Sequence, residues 1–322
     1  MDRANLYLVL HVRVVSPRNL TGTLVARLEA NPGVIGLVLL EGVSRNPAGD
    51  SIEFDVITAE ANEVLGELRA LEVDRDGFVA IDTVDSYLSE RATQARRSEP
   101  AAANVAPIWE EAEARIRSLG IYPPSWFALL TIAGLIAAVG IFTNSQILIV
   151  AAMVVGPEYG AIINVSLGRN EHDRARVRKG MRALIAGFAI AIAVSLLFSL
   201  AIRLFDLQSA EFQDGVRPVS DLINTPNVFS VIVAVLAGIV GVVSLTEARA
   251  NALIGVFVSV TTIPAAADVG VSTAFASWHE AWGSLVQLLL NVTILVVVGA
   301  VGLNMQRRFW TRWARGHRAG TA

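Results

Sequence analysis

The 322-residue chain contains no cysteine, which excludes disulfides, thiolate metal centres and cysteine nucleophiles. Charge is scarce: 17% of residues are Asp, Glu, Lys or Arg, against about 25% in an ordinary soluble domain. There are only four histidines. His172 and His279 fall in loops expected on opposite membrane faces and His11 in a strand, so no metal or cofactor is expected. Nucleophile elbow, phosphate-binding Gly-rich loop and zinc motif are all missing from the sequence, and an enzyme is not expected. The opening run MDRANLYLVLHVRVV is broken by His11 and Arg13 and no small-residue cleavage site follows, so it does not read as a signal peptide.

What is present is apolar. Hydrophobic residues make up 53% of the chain and the mean hydropathy is +0.53, which points to an integral membrane protein. The charges divide by position. Residues 1–97 hold 10 Arg against 15 Asp and Glu, a net of −5, whereas the tail 307–322 carries five Arg and no acid.

Residues 1–90 alternate in hydrophobicity over four strand-like runs, Asn5–Val15, Val34–Val43, Asp50–Thr58 and Gly77–Asp85. Leu20, Leu24 and Leu28 share one face of a helix over Leu20–Ala30, which Asn31-Pro32-Gly33 stops. Val64, Leu68 and Leu71 do the same over Glu60–Glu72. Asn46-Pro47-Ala48-Gly49-Asp50 is turn chemistry between strands two and three. The order β-α-β-β-α-β predicts an α+β ferredoxin-like cytoplasmic domain. Its first half, a helix followed by NPGVIGLVLLEG, resembles the small regulatory ACT-type domains. That resemblance is fold-deep and leaves ligand sensing and plain assembly both open. Residues 91–107, RATQARRSEPAAANVAP, read as a linker. Ile108–Leu119 reads as an amphipathic helix, either on the membrane surface or against the N-terminal domain.

Six apolar segments fill residues 121–306: Ser125–Thr143, Ser145–Leu167, Met181–Phe205, Val228–Leu245, Asn251–Phe275 and Ser284–Met305. About 20 apolar residues cross a bilayer core. With both termini cytoplasmic, Arg169, Arg174, Arg176, Arg178, Lys179, Arg249 and the tail lie inside, and Asp206, Glu211, Asp214 and Asp221 lie outside. Every loop then obeys the positive-inside rule. The expectation is a multi-pass protein of a bacterial-type inner membrane, whose basic tail meets anionic lipid headgroups rather than nucleic acid. Small residues such as Gly134, Gly238 and Gly299 permit close helix packing, and a homo-oligomer is expected.

One span departs from a plain anchor. Residues 144–168, NSQILIVAAMVVGPEYGAIINVSLG, carry Gly156-Pro157-Glu158 inside an apolar run. Proline removes a backbone donor and clashes with the preceding turn, and a carboxylate at membrane depth is costly unless it faces protein or water. A shift of 107 residues lays Pro157 on Pro264, and His172-Asp173 on His279-Glu280. Each copy is then a proline-interrupted span, a short polar loop and another long span. Three spans per copy would place the two copies upside down relative to each other. This is the pattern of inverted-repeat transporters, whose interrupted helices hold substrate near the midplane. The plainer reading is that both prolines only kink their helices.

Asn144-Ser145, Ala152-Met153, Gly156-Pro157 and Gly160 resemble the NS…AM…P..G signature of the DUF389 family of hydrophobic membrane proteins. Thr225-Pro226-Asn227 with Ala237-Gly238, then Pro264 and Asn291, resemble further short motifs of that family. The resemblance covers about residues 120–305. It implies the membrane fold and the importance of the motif, and no particular activity. Glu158 stands where the family usually has an apolar residue, and Ala161 and Ala265 replace the second proline of each motif.

Glu158 is the leading candidate for a cation or proton site, beside Gly156 and Pro157. Asp268, one turn beyond Pro264, is a weaker one. Asn144, Gln146, Asn164, Thr261, Thr262 and Asn291 are candidate uncharged ligands, although each alone is more often an interhelical hydrogen bond. The sequence therefore supports a transporter or channel for a small solute or ion. The alternative is a membrane-anchored sensor or assembly protein.

Overall fold

In a computed structural model, residues 9–84, 87, 89–98, 107–209, 212, 217–246 and 262–318 are described. The chain divides into two compact units, Met1–Ala112 with Trp310–Ala322, and Glu113–Phe309.

In the first unit the elements run β1 (Val9–Ser16), α1 (Arg18–Ala30), β2 (Val34–Arg45), β3 (Ala48–Ile57), α2 (Thr58–Ala70), α3 (Val73–Asp76), β4 (Phe78–Thr83) and α4 (Glu90–Ser98). The strands form one antiparallel sheet in the order β2-β3-β1-β4. Alternation is the cause: Val12, Val14, Ile52, Phe54 and Val56 are buried on one side. Leu24 and Leu28 of α1, with Val64 and Leu68 of α2, join them in one apolar core.

The hairpin between β2 and β3 is tighter than the five-residue turn expected, because the strands continue to Arg45 and from Ala48. Gly42, at φ +67°, turns its N–H onto Asp50 Oδ1 at 2.7 Å, while Thr21 Oγ1 donates to Oδ2 at 2.7 Å. Edge strand β2 leaves Val38, Leu39, Leu40 and Val43 exposed.

Residues 5–8 of the first expected strand lie outside the described residues. Two expectations change here. The second helix ends at Ala70, and the separate turn α3 follows it. The expected linker is helical over Glu90–Ser98, because Ala, Gln and Arg are good helix formers even without an apolar stripe.

Helix α5 (Trp109–Ser118) spans the division between the units. In the first unit Ile108 joins the core and the Trp109 N–H donates to Asn62 Oδ1 at 3.0 Å. In the second unit Ile116 is buried, and Glu113 pairs with Arg307 and Arg117.

The second unit continues with α6 (Pro124–Phe142), α7 (Gln146–Val155), α8 (Glu158–Asn170), α9 (Arg174–Leu204), α10 (Pro218–Asn224), α11 (Val228–Thr246), α12 (Thr262–Ala274) and α13 (Trp278–Arg318). Helices α6, α9, α11 and α13 are each long and apolar enough to cross a membrane. A fifth span arises if α7 and α8, bent by 50° at the break between them, count as one. Of the fifth expected segment, Asn251–Phe275, residues 251–261 lie outside the described residues, and α12 covers 262–274.

The expected outer loop contains α10, whose Val219, Ser220 and Ile223 are buried. The expected basic tail continues helix α13 to Arg318.

Element boundaries recur at an offset of 104, not 107. Helices α6 and α11 start at 124 and 228, a difference of 104. Helices α8 and α12 end at Asn170 and Ala274, again 104 apart. The left-handed residues His172 and Ala276 lie 104 apart, as do the starts of α9 and α13 at 174 and 278. Pro157 is thus the counterpart of position 261, and Pro264 of Gly160. Proline is tolerated just before a helix and in its first turn. Pro157 is the N-cap of α8 and Pro264 lies within α12, so at this offset the two prolines are not corresponding residues.

The Asp50 cluster carries a pH signature. The Thr21 hydroxyl, then the Gly42 amide, with Arg18 nearby, lower the Asp50 pKa against the opposing effect of burial. A depressed carboxyl stabilises the fold above its unfolded pKa of about 3.9, and that stability is lost as pH falls through the folded value. At neutral pH, Asp50→Asn is expected to speed hydrogen exchange in β2 and β3 of the full chain. The gap from wild type should close below about pH 4; a gap independent of pH would refute the assignment.

Candidate functional site

The interruption of the second span follows from its residues. Helix α7 is capped by Ser145, whose Oγ accepts from the Leu148 N–H at 3.4 Å, and ends at Gly156. Gly156 is pressed against the Ile263 side chain and Glu158 Oε2, so a β-carbon has no room there. Pro157 lacks the N–H to continue the ladder. Its carbonyl accepts from Trp126 Nε1 at 3.3 Å, and α8 begins afresh at Glu158.

Glu158 is 6% exposed. Its Oε1 accepts from Thr262 Oγ1 at 2.7 Å, while Oε2 has no hydrogen-bond partner among the described residues. Glu158 opens α8, and Thr262, 104 residues on, belongs to α12, so the two helices meet across this contact. Pro264, two residues beyond Thr262, is buried.

Six residues further along α12, about 9 Å at 1.5 Å per residue, Asp268 is fully buried. Oδ1 accepts from Ser220 Oγ of α10 at 2.8 Å and Oδ2 from Ser284 Oγ of α13 at 2.5 Å. Its counterpart on α8 is Asn164 (268 minus 104). Asn164 is also buried, with Nδ2 3.4 Å from the Tyr122 hydroxyl and Oδ1 unpartnered among the described residues. One half thus holds a neutral amide where the other holds a carboxylate.

The other sequence candidates scatter. Asn291 is buried on α13 and accepts from Gln287 Nε2 at 3.1 Å. Asn144 forms the turn between α6 and α7 at φ 49°, and Gln146 is exposed at the start of α7. Thr261 lies outside the described residues. The structure therefore gathers Gly156, Pro157, Glu158, Thr262 and Pro264 at one place, with Asp268 and Asn164 each further along a helix. Sequence reasoning missed Ser220 and Ser284. Serines carry no signal of their own, and only the folding back of α10 brings Ser220 to Asp268.

Long apolar helices, one of them broken around a buried acid, define a polytopic helical membrane protein with a small α/β unit at its N-terminal end. Within that class, residues 153–297 match the model of the family described as a domain of unknown function, DUF389. The resemblance read from the short motifs is thereby shown over this stretch. An uncharacterised protein of Methanocaldococcus jannaschii is 22% identical over 189 residues. That alignment covers 57% of this chain and 56% of the relative, so the chain spans little more than half of the relative's length. No solved structure matches the chain.

The Asp268 cluster makes a direct prediction. Removing a donor from a buried carboxylate costs about 1–3 kcal/mol, so Ser284→Ala is expected to lower the melting temperature of the full chain in detergent. Asp268→Asn, which keeps the shape and discards the charge, should cost less. Equal melting temperatures for Ser284→Ala and wild type would show that the contact does not hold the fold.

Proposed function

We propose that the chain is a membrane transporter or channel for a small solute or ion, with its site where the start of α8 meets α12. The observation that carries this reading is the Glu158–Thr262 contact, a buried carboxylate at a helix break joined to a second helix inside an apolar helical unit. Ionisable groups at membrane depth are costly and are kept for function.

An exchange of contacts between the halves supports two inverted repeats. Ser166 of α8 donates to the Val296 carbonyl of α13 at 3.0 Å and packs on Gly299. Shifted by 104, the same trio is Gly270, Ile192 and Ser195. A β-carbon on Gly270 would lie 2.8 Å from the Ile192 carbonyl and 2.9 Å from Ser195 Cβ. Each short helix thus packs against the long helix of the opposite half. That is how two-fold-related repeats interlock around a shared site.

The Arg-rich segments after α8 and at the end of α13 favour cytoplasmic termini in a cytoplasmic membrane. The sheet order β2-β3-β1-β4 favours a ferredoxin-like N-terminal domain. The exposed Val38, Leu39, Leu40 and Val43 of edge strand β2 favour a second reading, a membrane-anchored assembly or sensor protein whose sheet pairs with another chain.

Reconstituted vesicles separate the two readings. The full chain is expected to pass at least one of sodium, potassium, chloride, bromide or a neutral amino acid faster than protein-free vesicles. Gly156→Leu, which fills the close approach at the break, should return flux to the protein-free rate. Wild-type flux equal to that of empty vesicles for every probe would leave the assembly reading in place.

A further inference from the structure

A second buried carboxylate lies apart from the helix break, and oxygen atoms from three helices surround it. Asp268 of α12 is fully buried and accepts from Ser220 Oγ of α10 at 2.8 Å and Ser284 Oγ of α13 at 2.5 Å. Ser272, four residues along α12 and hence on the same helix face, is also buried. On α13, Gln287 stands three residues beyond Ser284, again on one face. It is 3% exposed, and its Oε1 has no hydrogen-bond partner among the described residues. Carboxylate, hydroxyl and amide oxygens are the ligands that hard cations take.

The charge on Asp268 is not balanced by a base. Arg217, at the start of α10, reaches Glu280 Oε2 at 3.2 Å and Ser277 Oγ at 3.1 Å, and the Arg217–Glu280 pair is neutral in sum. No Lys or Arg among the described residues pairs with Asp268. Two neutral hydroxyl donors offset only part of the cost of taking a carboxylate out of water. Nor does packing require the charge. At the 104-residue offset Asp268, Ser220, Ser284 and Ser272 correspond to Asn164, Ile116, Gly180 and Gly168, none of which carries a charge or a hydroxyl. Those four positions are buried all the same. An acid at membrane depth that the packing does not need marks an ion site.

We propose that Asp268, with the hydroxyls of Ser220, Ser284 and Ser272 and the amide oxygen of Gln287, binds one small monovalent cation, sodium. One carboxylate balances one positive charge, so a divalent ion would leave the apolar surroundings with an excess. Ser220 and Ser284, whose hydroxyls donate to the carboxylate, would turn oxygen lone pairs to the ion, and α10, α12 and α13 would be tied together through it. The site is separate from the Glu158–Thr262 contact and stands whether or not the chain carries a solute.

The test uses the full chain in detergent, with sodium chloride replacing choline chloride at constant ionic strength. The melting temperature of wild type is expected to rise with sodium and saturate. Asp268→Asn should lose that rise. In Ser284→Ala and Ser272→Ala the sodium needed for half the rise should increase about tenfold, the effect of removing one ligand. Retention of radiolabelled sodium is measured on the same chains, so that the serine variants decide if Asp268→Asn does not fold. Absence of both a saturable rise and sodium retention in wild type overturns the proposal. So does a response unchanged in every folded variant. A response abolished in Glu158→Gln but kept in Asp268→Asn places the ion at the helix break and overturns it too. Sodium binding that needs Asp268, without flux of any probe in vesicles, supports this site and counts against transport alone.

Discussion

A carboxylate removed from water needs a partner of opposite charge, a proton or a set of aligned dipoles, and without one it costs several kcal/mol. Among the described residues of the apolar unit, buried Glu113 is paired with Arg117 and Arg307, while Glu158 and Asp268 are met differently. Asp268 is fully buried between two serine hydroxyls from α10 and α13, so both oxygens are bonded. Glu158 has one hydroxyl, the start of α8 and, among the described residues, no partner for its second oxygen. The first arrangement ties three elements together. The second ties α8 to α12 through one oxygen. Most of the local architecture follows from meeting these needs: the break at Gly156-Pro157, the fresh start of α8, and the return of α10 over α12.

The break itself was legible in the sequence. Glycine, proline and glutamate together inside an apolar run cannot form an uninterrupted span, and α7 and α8 are bent by 50° there. The proposed second copy reads differently in sequence and in structure: aligning Pro157 with Pro264 gives 107 residues, whereas helix boundaries recur at 104. Proline marks the start of a helix loosely, since the N-cap and the first turn all accept it. Helix boundaries were the better ruler. They align Glu158 with Thr262, the two residues that touch, and Asn164 with Asp268.

Other parts were not legible for reasons of the same kind. Ser220 and Ser284 become carboxylate partners only through tertiary folding. Helix α4 lacks the apolar periodicity that marks a helix, and Pro100 close by suggested a linker. In the first unit the alternation of Val, Ile and Phe gave the strands and their order. The Asp50 contact with Gly42 and Thr21 depended on a left-handed glycine that alternation does not reveal.

The account turns on the two halves being exchanged about one centre, so that each short helix packs on the long helix of the other half. The chain has no native cysteine, and pairs can be introduced without interference. A β-carbon at Gly299 would lie 3.2 Å from Ser166 Cβ, and one at Gly270 2.9 Å from Ser195 Cβ. Modest relaxation brings both to the separation of about 3.5–4.5 Å that a disulfide spans. The most direct measurement is oxidative cross-linking of the full chain carrying Ser166→Cys with Gly299→Cys and, separately, Ser195→Cys with Gly270→Cys. Both pairs are predicted to close within one chain. Closure of one without the other, or of neither, would contradict the exchanged arrangement and the shared site at its centre.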